Sequence, residues 1–140
     1  MATLERALEI ALKAHQGSKD FGGNPYILHP LRVMMSLKSE QEKIVGILHD
    51  VVERSSLKFD DLHKEGFSGE VMAALELLGH DEATDYHDYI RSIKPNSLAR
   101  IVKLADLEDN MHVGRISELD EDAVTRFRAY LDAWKLLKAQ

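Results

Sequence analysis

The residues most able to do chemistry in this sequence are a histidine–aspartate pair, His49-Asp50, placed inside an apolar run. Residues 44–48 before the pair are all apolar or glycine, and Val51-Val52 follows it. This run predicts one helix that is apolar on every side and therefore lies at the centre of the fold. A carboxylate in such a helix is costly unless it is paired with a cation or bound to a metal.

Asp106 is a second carboxylate predicted to be buried, because Val102 lies one turn before it on the same predicted helix face. No lysine or arginine follows His49-Asp50 before Arg54, so a paired cation is not evident. Two interpretations stay open on these residues alone. Histidine and carboxylate ligands suit Mn²⁺, Fe²⁺ or Mg²⁺. Alternatively, His49 donates to Asp50 or Asp106 within a buried hydrogen-bonded network.

Two further polar residues lie near this pair or at a helix start. Glu53 is four residues after His49, so it overhangs the same side of the helix. His29 precedes Pro30, where a loop gives way to a helix. Taken alone, His29 is typical of a surface histidine at a helix cap, since loops often carry exposed polar groups.

Helices must position these residues, because helical periodicity dominates the chain and no period-two strand pattern is evident. Ser39 with Glu42 forms a capping-box pattern, and Thr3, Ser68, Ser97 and Asp120 are further predicted N-caps. We predict an all-α fold, a single compact domain over residues 1–140 with seven or eight helices. The predicted segments begin near Leu4, Pro30, Glu40, Asp60, Ser68, Thr84, Ser97 and Asp120.

Composition narrows the function classes. The chain has 140 residues, 18 Lys+Arg against 24 Asp+Glu, and a formal net charge of −6, which argues against broad nucleic-acid binding. It contains no cysteine, which excludes a thiol nucleophile and a disulfide framework. No apolar run approaches a membrane span, and the N-terminus lacks a signal-peptide pattern. We therefore expect a cytoplasmic protein with neither nucleic acid nor membrane as a partner.

Three motifs occur in order along the chain: Pro25-Tyr26-Ile27-Leu28-His29-Pro30, Leu48-His49-Asp50-Val51-Val52-Glu53 and Val102-Lys103-Leu104-Ala105-Asp106. Together they resemble the HD superfamily of metal-dependent phosphohydrolases. More narrowly, they are similar to the hydrolase domain of bifunctional alarmone synthetase/hydrolases and to the stand-alone small alarmone hydrolases. The resemblance implies an HD-domain helical bundle. It also implies hydrolysis of the 3′-pyrophosphate of guanosine tetra- or pentaphosphate, (p)ppGpp, giving GDP or GTP and pyrophosphate.

The resemblance also implies roles for individual residues. It assigns His29, His49, Asp50 and Asp106 as ligands of one Mn²⁺, with Fe²⁺, Mg²⁺ or Zn²⁺ as alternatives. His29 thereby changes from a surface residue to an expected ligand. Glu53 matches the acidic residue that positions or deprotonates the attacking water.

The substrate implied by the resemblance is a small nucleotide. Asn110 matches an asparagine that contacts the nucleotide in relatives, and Lys103 matches a position that is usually basic. Lys19, in the loop before the first motif, could supply a phosphate contact.

The chain also departs from the family pattern. Arg54 stands where relatives usually have aspartate after Glu53, and Gly79 stands where they often have threonine. Gly17-Ser18 replaces a Gly-Gln pair or an arginine in the loop. Arg54 has three open explanations: it binds a substrate phosphate, it points to solvent, or it marks weakened catalysis. Two rival functions follow, a phosphohydrolase of the same fold acting on another nucleotide or phosphate ester, and a catalytically weakened metal- or nucleotide-binding domain.

The remaining histidines carry less information. His80-Asp81 and His87-Asp88 lie in a polar segment, so we predict that neither pair binds metal. His15, His63 and His112 are expected at the surface or in a substrate cleft. Tyr26 beside Pro25 could stack on a nucleotide base, but packing is the favoured interpretation.

Overall fold

Nine α-helices and one 3₁₀ turn form the chain in a computed structural model that describes residues 1–140. The only extended pairing is a single bridge between Lys19 and Pro25. The all-α prediction is confirmed. The helices are α1 (Leu4–His15), α2 (Leu28–Ser36), α3 (Glu40–Leu48), α4 (Val51–Arg54), α5 (Phe59–Glu65), α6 (Gly69–Leu78), α7 (Tyr86–Ile93), α8 (Ser97–Asn110) and α9 (Glu121–Lys138), with the 3₁₀ turn at Val113–Arg115.

Most of the predicted helix starts are confirmed by side-chain caps. Thr3, Ser39, Ser68 and Asp120 each accept a hydrogen bond from a backbone N–H of the first helical turn. At Ser39 the box is reciprocal, because Glu42 accepts from the Ser39 N–H. These caps satisfy backbone donors that have no partner inside the helix.

Two helix starts were predicted wrongly. Asn96, not Ser97, caps α8, because the Asn96 carbonyl oxygen accepts from the N–H of Ala99 at 2.9 Å. The helix predicted from Thr84 begins at Tyr86, since Asp85 takes the cap position. In both cases the capping bond is made by the side-chain oxygen of the residue next to the predicted cap.

The helix predicted to run unbroken through His49 is instead divided in two. The structure ends α3 at Leu48 and begins α4 at Val51, so His49 and Asp50 form the junction. In a continuous helix the Gly46 carbonyl would accept from the Asp50 N–H, but here it accepts from Nδ1 of His49 at 2.6 Å. The interruption explains why nine helical segments appear where seven or eight were expected.

Twenty-six buried apolar residues form one core. The helix α3 lies between α1, α2, α6 and α8, while α9 packs on α7 and α8. The junction after α3 and the first turn of α2 therefore meet the middle of α8, where Asp106 lies. None of the helices has the length and apolar character needed to cross a membrane.

Candidate functional site

Four side chains from three parts of the chain converge at one buried point, which we call the His–Asp cluster: His29, His49, Asp50 and Asp106. Nε2 of His29 lies 2.8 Å from Oδ1 of Asp106 and 3.8 Å from Oδ2 of Asp50. Nε2 of His49 lies 3.2 Å from the same Asp50 oxygen and 3.3 Å from the same Asp106 oxygen. The structure thus brings together all four residues that the sequence resemblance named.

The opposite nitrogens of both rings are held by acceptors outside the cluster. Nδ1 of His49 donates to the Gly46 carbonyl, which can only accept a hydrogen bond. Nδ1 of His29 lies 2.6 Å from Oδ2 of Asp109. Both rings therefore direct Nε2 toward the cluster, and a proton on Nδ1 leaves Nε2 free to act as a ligand.

Three of the four residues form a compact donor set for a divalent cation, and Asp106 borders it. Ligand atoms bound at about 2.0–2.2 Å around one metal lie roughly 3–4 Å apart. Oδ1 of Asp106 lies 2.8 Å from Nε2 of His29 and 3.3 Å from Nε2 of His49. The donor atoms of His29, His49 and Asp50 lie within 4.8 Å of one another. Two imidazole nitrogens with two carboxylates form a mixed set typical of Mn²⁺, Fe²⁺ or Zn²⁺ sites.

The electrostatics of the cluster favour positive charge. Burial opposes ionisation of Asp106, yet Lys103 and His49 hold its pKa well below the usual value. Burial also opposes charge on His49, but the carboxylates of Asp50 and Asp106 raise the pKa of its imidazole well above the usual range. The two carboxylates thus stay ionised, which is the state that binds a cation.

For His29, its local sequence position and the family resemblance led to different predictions. Its position before Pro30 favoured an exposed cap, whereas the structure leaves it only 2% exposed in the first turn of α2. Pro30 needs no backbone N–H partner there, so the chain can turn into α2 and direct His29 inward. The surface interpretation is wrong.

Two residues that support the cluster were missed from the sequence. Tyr26 was interpreted as packing, but its hydroxyl donates to Oδ2 of Asp50. Asp109 was not singled out, although hydrogen bonds from His29 and Arg32 lower its pKa to about 2 against the effect of burial. The signal for Tyr26 was its place in the first motif, and for Asp109 its position one helical turn after Asp106.

A cavity of about 440 Å³ opens above the His–Asp cluster, a size that suits a small-molecule ligand. Its lining holds five cationic side chains and five carboxylates, two of which belong to the His–Asp cluster. These cations are Lys19, Arg54, Lys103, Arg115 and Arg126.

Glu53 and Arg54 both line this cavity from α4. Oε1 of Glu53 accepts from the backbone N–H of His80 at 2.8 Å, which fixes the carboxylate at the cavity wall. The Arg54 guanidinium lies 3.6 Å from the centroid of the Tyr26 ring. Arg54 therefore stacks on the cavity wall, and the explanation that it simply points to solvent is not supported.

Lys103 and Asn110 line the cavity from α8, one on each side of Asp106. Nζ of Lys103 lies 2.8 Å from Oδ2 of Asp106, and Nδ2 of Asn110 lies 3.3 Å from Oδ1. Both side chains thus contact the cluster as well as the cavity. These two predicted substrate-binding residues therefore lie next to the His–Asp cluster and not at the mouth of the cavity.

The mouth of the cavity, which we call the rim, consists of Lys19, Phe21, Arg54 and Arg126. Phe21 is 84% exposed, and Cζ of Arg126 lies 4.4 Å from the centroid of its ring. Phe21 and Arg126 therefore join the loop before α2 to α9. The sequence argument had selected Lys19 and Arg54 but neither Phe21 nor Arg126.

One histidine differs from expectation, and another gains an unpredicted role. His15 was expected at the surface or in a cleft, but it is 2% exposed, and neither ring nitrogen has a hydrogen-bond partner. Burial lowers its pKa to about 4, and its ring lies 5.0 Å from that of Tyr26. His80 lines the cavity, where its backbone holds Glu53.

Gly79, the second departure from the family pattern, has a packing explanation. A Cβ atom at this position would come within 3.0 Å of Cζ of Phe59. The Phe59 ring thus occupies space that a threonine would need, so the glycine is matched to its surroundings.

No family model matches the chain. The guanosine-3′,5′-bis(diphosphate) 3′-pyrophosphohydrolase of Borreliella burgdorferi is 34% identical over 123 residues, covering 76% of this chain. An Arabidopsis thaliana protein named putative GTP diphosphokinase RSH1, chloroplastic, is 30% identical over 130 residues, covering 77% of this chain. A solved structure, described as a metazoan ortholog of SpoT that hydrolyzes ppGpp, matches with a TM-score of 0.79 and 22% identity.

That structural match covers 99% of this chain and 87% of the other chain, so the two share the whole helical fold. By its sequence similarity to these relatives, the chain belongs to the family of HD-type domains found in (p)ppGpp enzymes. The HD domain spans 18% and 15% of the lengths of the two curated relatives, so the match concerns one part of those larger proteins.

Proposed function

We propose that this HD domain hydrolyses the 3′-pyrophosphate of (p)ppGpp and that His29, His49, Asp50 and Asp106 bind the Mn²⁺ it uses. The observation that carries the proposal is the convergence of these four side chains beneath a cavity to which five cationic side chains contribute. The similarity to named (p)ppGpp hydrolases supports the choice of substrate.

The cations of the cavity suit the charge of this substrate. A 3′-pyrophosphate and a 5′-diphosphate together present several negative oxygens, and guanidinium groups bind such oxygens through two parallel hydrogen bonds. Arg54 is held ready for this by its contact with Tyr26, and Lys19 lies on the same rim. We assign Arg54, Lys19, Lys103 and Asn110 to substrate binding.

Glu53 is the residue we assign to the water. Bound Mn²⁺ would supply Lewis-acid chemistry, which makes water more acidic and offsets phosphoryl charge. The hydrogen bond from the His80 N–H fixes one oxygen of Glu53 and leaves the other to orient a water and accept its proton. Water then adds to the phosphorus that is attached to the 3′ oxygen, and the bond between that phosphorus and the 3′ oxygen breaks. Pyrophosphate is released, and the 3′ oxygen stays on the ribose and takes up a proton.

A substrate panel with purified protein and Mn²⁺ tests the proposal. The panel contains ppGpp, pppGpp, GTP, ATP and p-nitrophenyl phosphate, and chromatography of the products identifies the bond that is cleaved. We expect pyrophosphate with GDP from ppGpp and with GTP from pppGpp, and no comparable release from the other compounds. Asp106→Asn, which keeps the side-chain shape, is the matched inactive control.

Other outcomes favour the rival functions. Turnover of a different phosphate ester alone would support a phosphohydrolase of another specificity. Binding of ppGpp without turnover of any compound, measured by calorimetry, would support a non-catalytic nucleotide-binding domain.

A further inference from the structure

Asp109 lies three residues after Asp106 on α8, so both carboxylates project from the same helix face. The imidazole of His29 lies between them. Oδ1 of Asp106 is 2.8 Å from Nε2 of His29, and Oδ2 of Asp109 is 2.6 Å from Nδ1. One helix therefore contacts this ring at both of its nitrogens.

Two arginines hold the Asp109 carboxylate in place. From α2, Nε and Nη2 of Arg32 donate to its two oxygens at 2.9 and 3.2 Å, a forked pair of bonds. From the 3₁₀ turn, Nη1 of Arg115 donates to Oδ2 at 2.9 Å. The same nitrogen lies 3.3 Å from Nδ1 of His29, farther than the 2.6 Å between Nδ1 and the carboxylate. The carboxylate is thus fixed from two elements other than its own helix, and the arginines offset its negative charge beside the cluster.

If Asp109 only formed ion pairs that join α2 and the 3₁₀ turn to α8, the contacts with Arg32 and Arg115 would be explained but the contact with His29 would not. The carboxylate accepts from the ring nitrogen opposite to the one that faces the cluster. Carboxylate, histidine and metal in this order form the arrangement that sets the tautomer and orientation of metal-binding histidines and raises their basicity.

We infer that Asp109 is a positioning residue that accepts the Nδ1 proton of His29 and thereby directs an unprotonated Nε2 at the metal. This inference rests on the proposed metal site and adds a residue outside the four ligands. Arg32 and Arg115 keep the Asp109 carboxylate in the orientation that His29 requires.

Metal affinity is the direct test. Asp109→Asn keeps an acceptor oxygen but loses the charge, while Asp109→Ala loses both. Glu108→Gln is the matched control, because it removes the same charge from the neighbouring, exposed residue of α8. Mn²⁺ is titrated into each folded protein, and the free ion is measured by its electron paramagnetic resonance signal.

We expect the Mn²⁺ dissociation constant of Glu108→Gln to stay within about twofold of the original. Asp109→Asn should bind about 10-fold more weakly and Asp109→Ala up to about 100-fold more weakly. Circular dichroism melts establish that each variant is folded at the titration temperature. Equal affinities in wild type and Asp109→Asn would overturn the inference while leaving the metal site standing, whereas a wild type that binds no Mn²⁺ would overturn both.

A second measurement needs no variant. In ¹⁵N-labelled wild type loaded with diamagnetic Zn²⁺, the imidazole shifts of His29 report which nitrogen carries the proton. We expect the proton on Nδ1. A His29 ring protonated at Nε2, with Nδ1 bare, would contradict the role of Asp109.

Discussion

The His–Asp cluster and the rim form opposite ends of one cavity, and they are built in different ways. The cluster is buried, its side chains come from α2, from α8 and from the junction after α3, and all four ring nitrogens of its two histidines have partners. The rim is largely exposed and depends on the loop before α2 and on the last helix. The buried end retains every residue that the family resemblance assigns, the change at Arg54 falls at the exposed end, and the changes at Ser18 and Gly79 lie outside the cavity lining.

Burial explains this division. A charged group in the core must be compensated, so changing one member of the cluster leaves its partners uncompensated at high cost. A rim residue keeps its contact with water whatever replaces it, and its effect is confined to ligand binding. We therefore expect substitutions in the cluster to abolish function and substitutions at the rim to adjust it.

The largest effect is expected from removing a carboxylate of the cluster. Asp50→Ala and Asp106→Ala should each lose stoichiometric Mn²⁺, measured by elemental analysis after loading, and more than about 100-fold of the pyrophosphate release. This lower bound follows because even residues behind a metal ligand commonly contribute 10–100-fold. Asp81→Ala, in the exposed His80-Asp81 pair, is the control and should keep both. A wild type that remains metal-free after loading would refute the site.

The buried residue His15, which packs against Tyr26 behind the cavity wall, should make stability depend on pH. Because burial lowers its pKa to about 4, the folded protein resists protonation there, whereas the unfolded chain protonates near the usual 6.5. Below pH 6.5 the unfolded state binds the extra proton, so the free energy of unfolding falls as the pH drops toward 4, by about 3 kcal/mol in all.

Urea unfolding of metal-free wild type and His15→Leu at pH 7.5 and 4.5 measures this effect. Wild type should lose about 2 to 3 kcal/mol more than His15→Leu between the two pH values, since the variant lacks the titrating group. An identical pH dependence in the two proteins would mean that His15 is not held neutral by burial.

At the rim, Arg54 offers the next largest effect. We expect Arg54→Asp to reduce kcat/KM for ppGpp by about 10–100-fold, because a hydrogen bond to a charged group contributes about 1.5–3 kcal/mol. Arg91→Asp makes the same change of charge on an exposed part of α7 and should have little effect. A gain in activity on restoring the acidic residue of relatives would instead show that Arg54 impairs this enzyme.

The smallest effect is expected at Gly79. Gly79→Ala should lower the free energy of unfolding by about 1 kcal/mol, because its Cβ would press against Phe59. Gly69→Ala, in the same region of the chain, meets nothing within 4 Å and should be neutral or slightly stabilising. Thermal or urea unfolding of both variants measures the difference. Equal stability changes at the two glycines would show that Phe59 gives way freely.

Local signals in the sequence predicted most of the helices well. The caps at Thr3, Ser39 and Asp120 depend on hydrogen bonds between residues three apart, so neighbouring residues were enough to find them. The break at His49 could not be found in this way, because the apolar run is continuous. It depends on the bond from the His49 ring to Gly46, which the surroundings of the ring impose.

The sequence by itself determined the fold class and, through the order of its three motifs, the membership of the His–Asp cluster. Helix periodicity and capping are local properties, and motif order needs no geometry. Tertiary structure alone decided that His29 is buried, that Tyr26 and Asp109 support the cluster, and that Arg54 stacks on the cavity wall. These features depend on contacts between residues 24 to 80 positions apart in the sequence, or on the packing of a helix end against another helix. The periodicity of the sequence carries no information about such contacts.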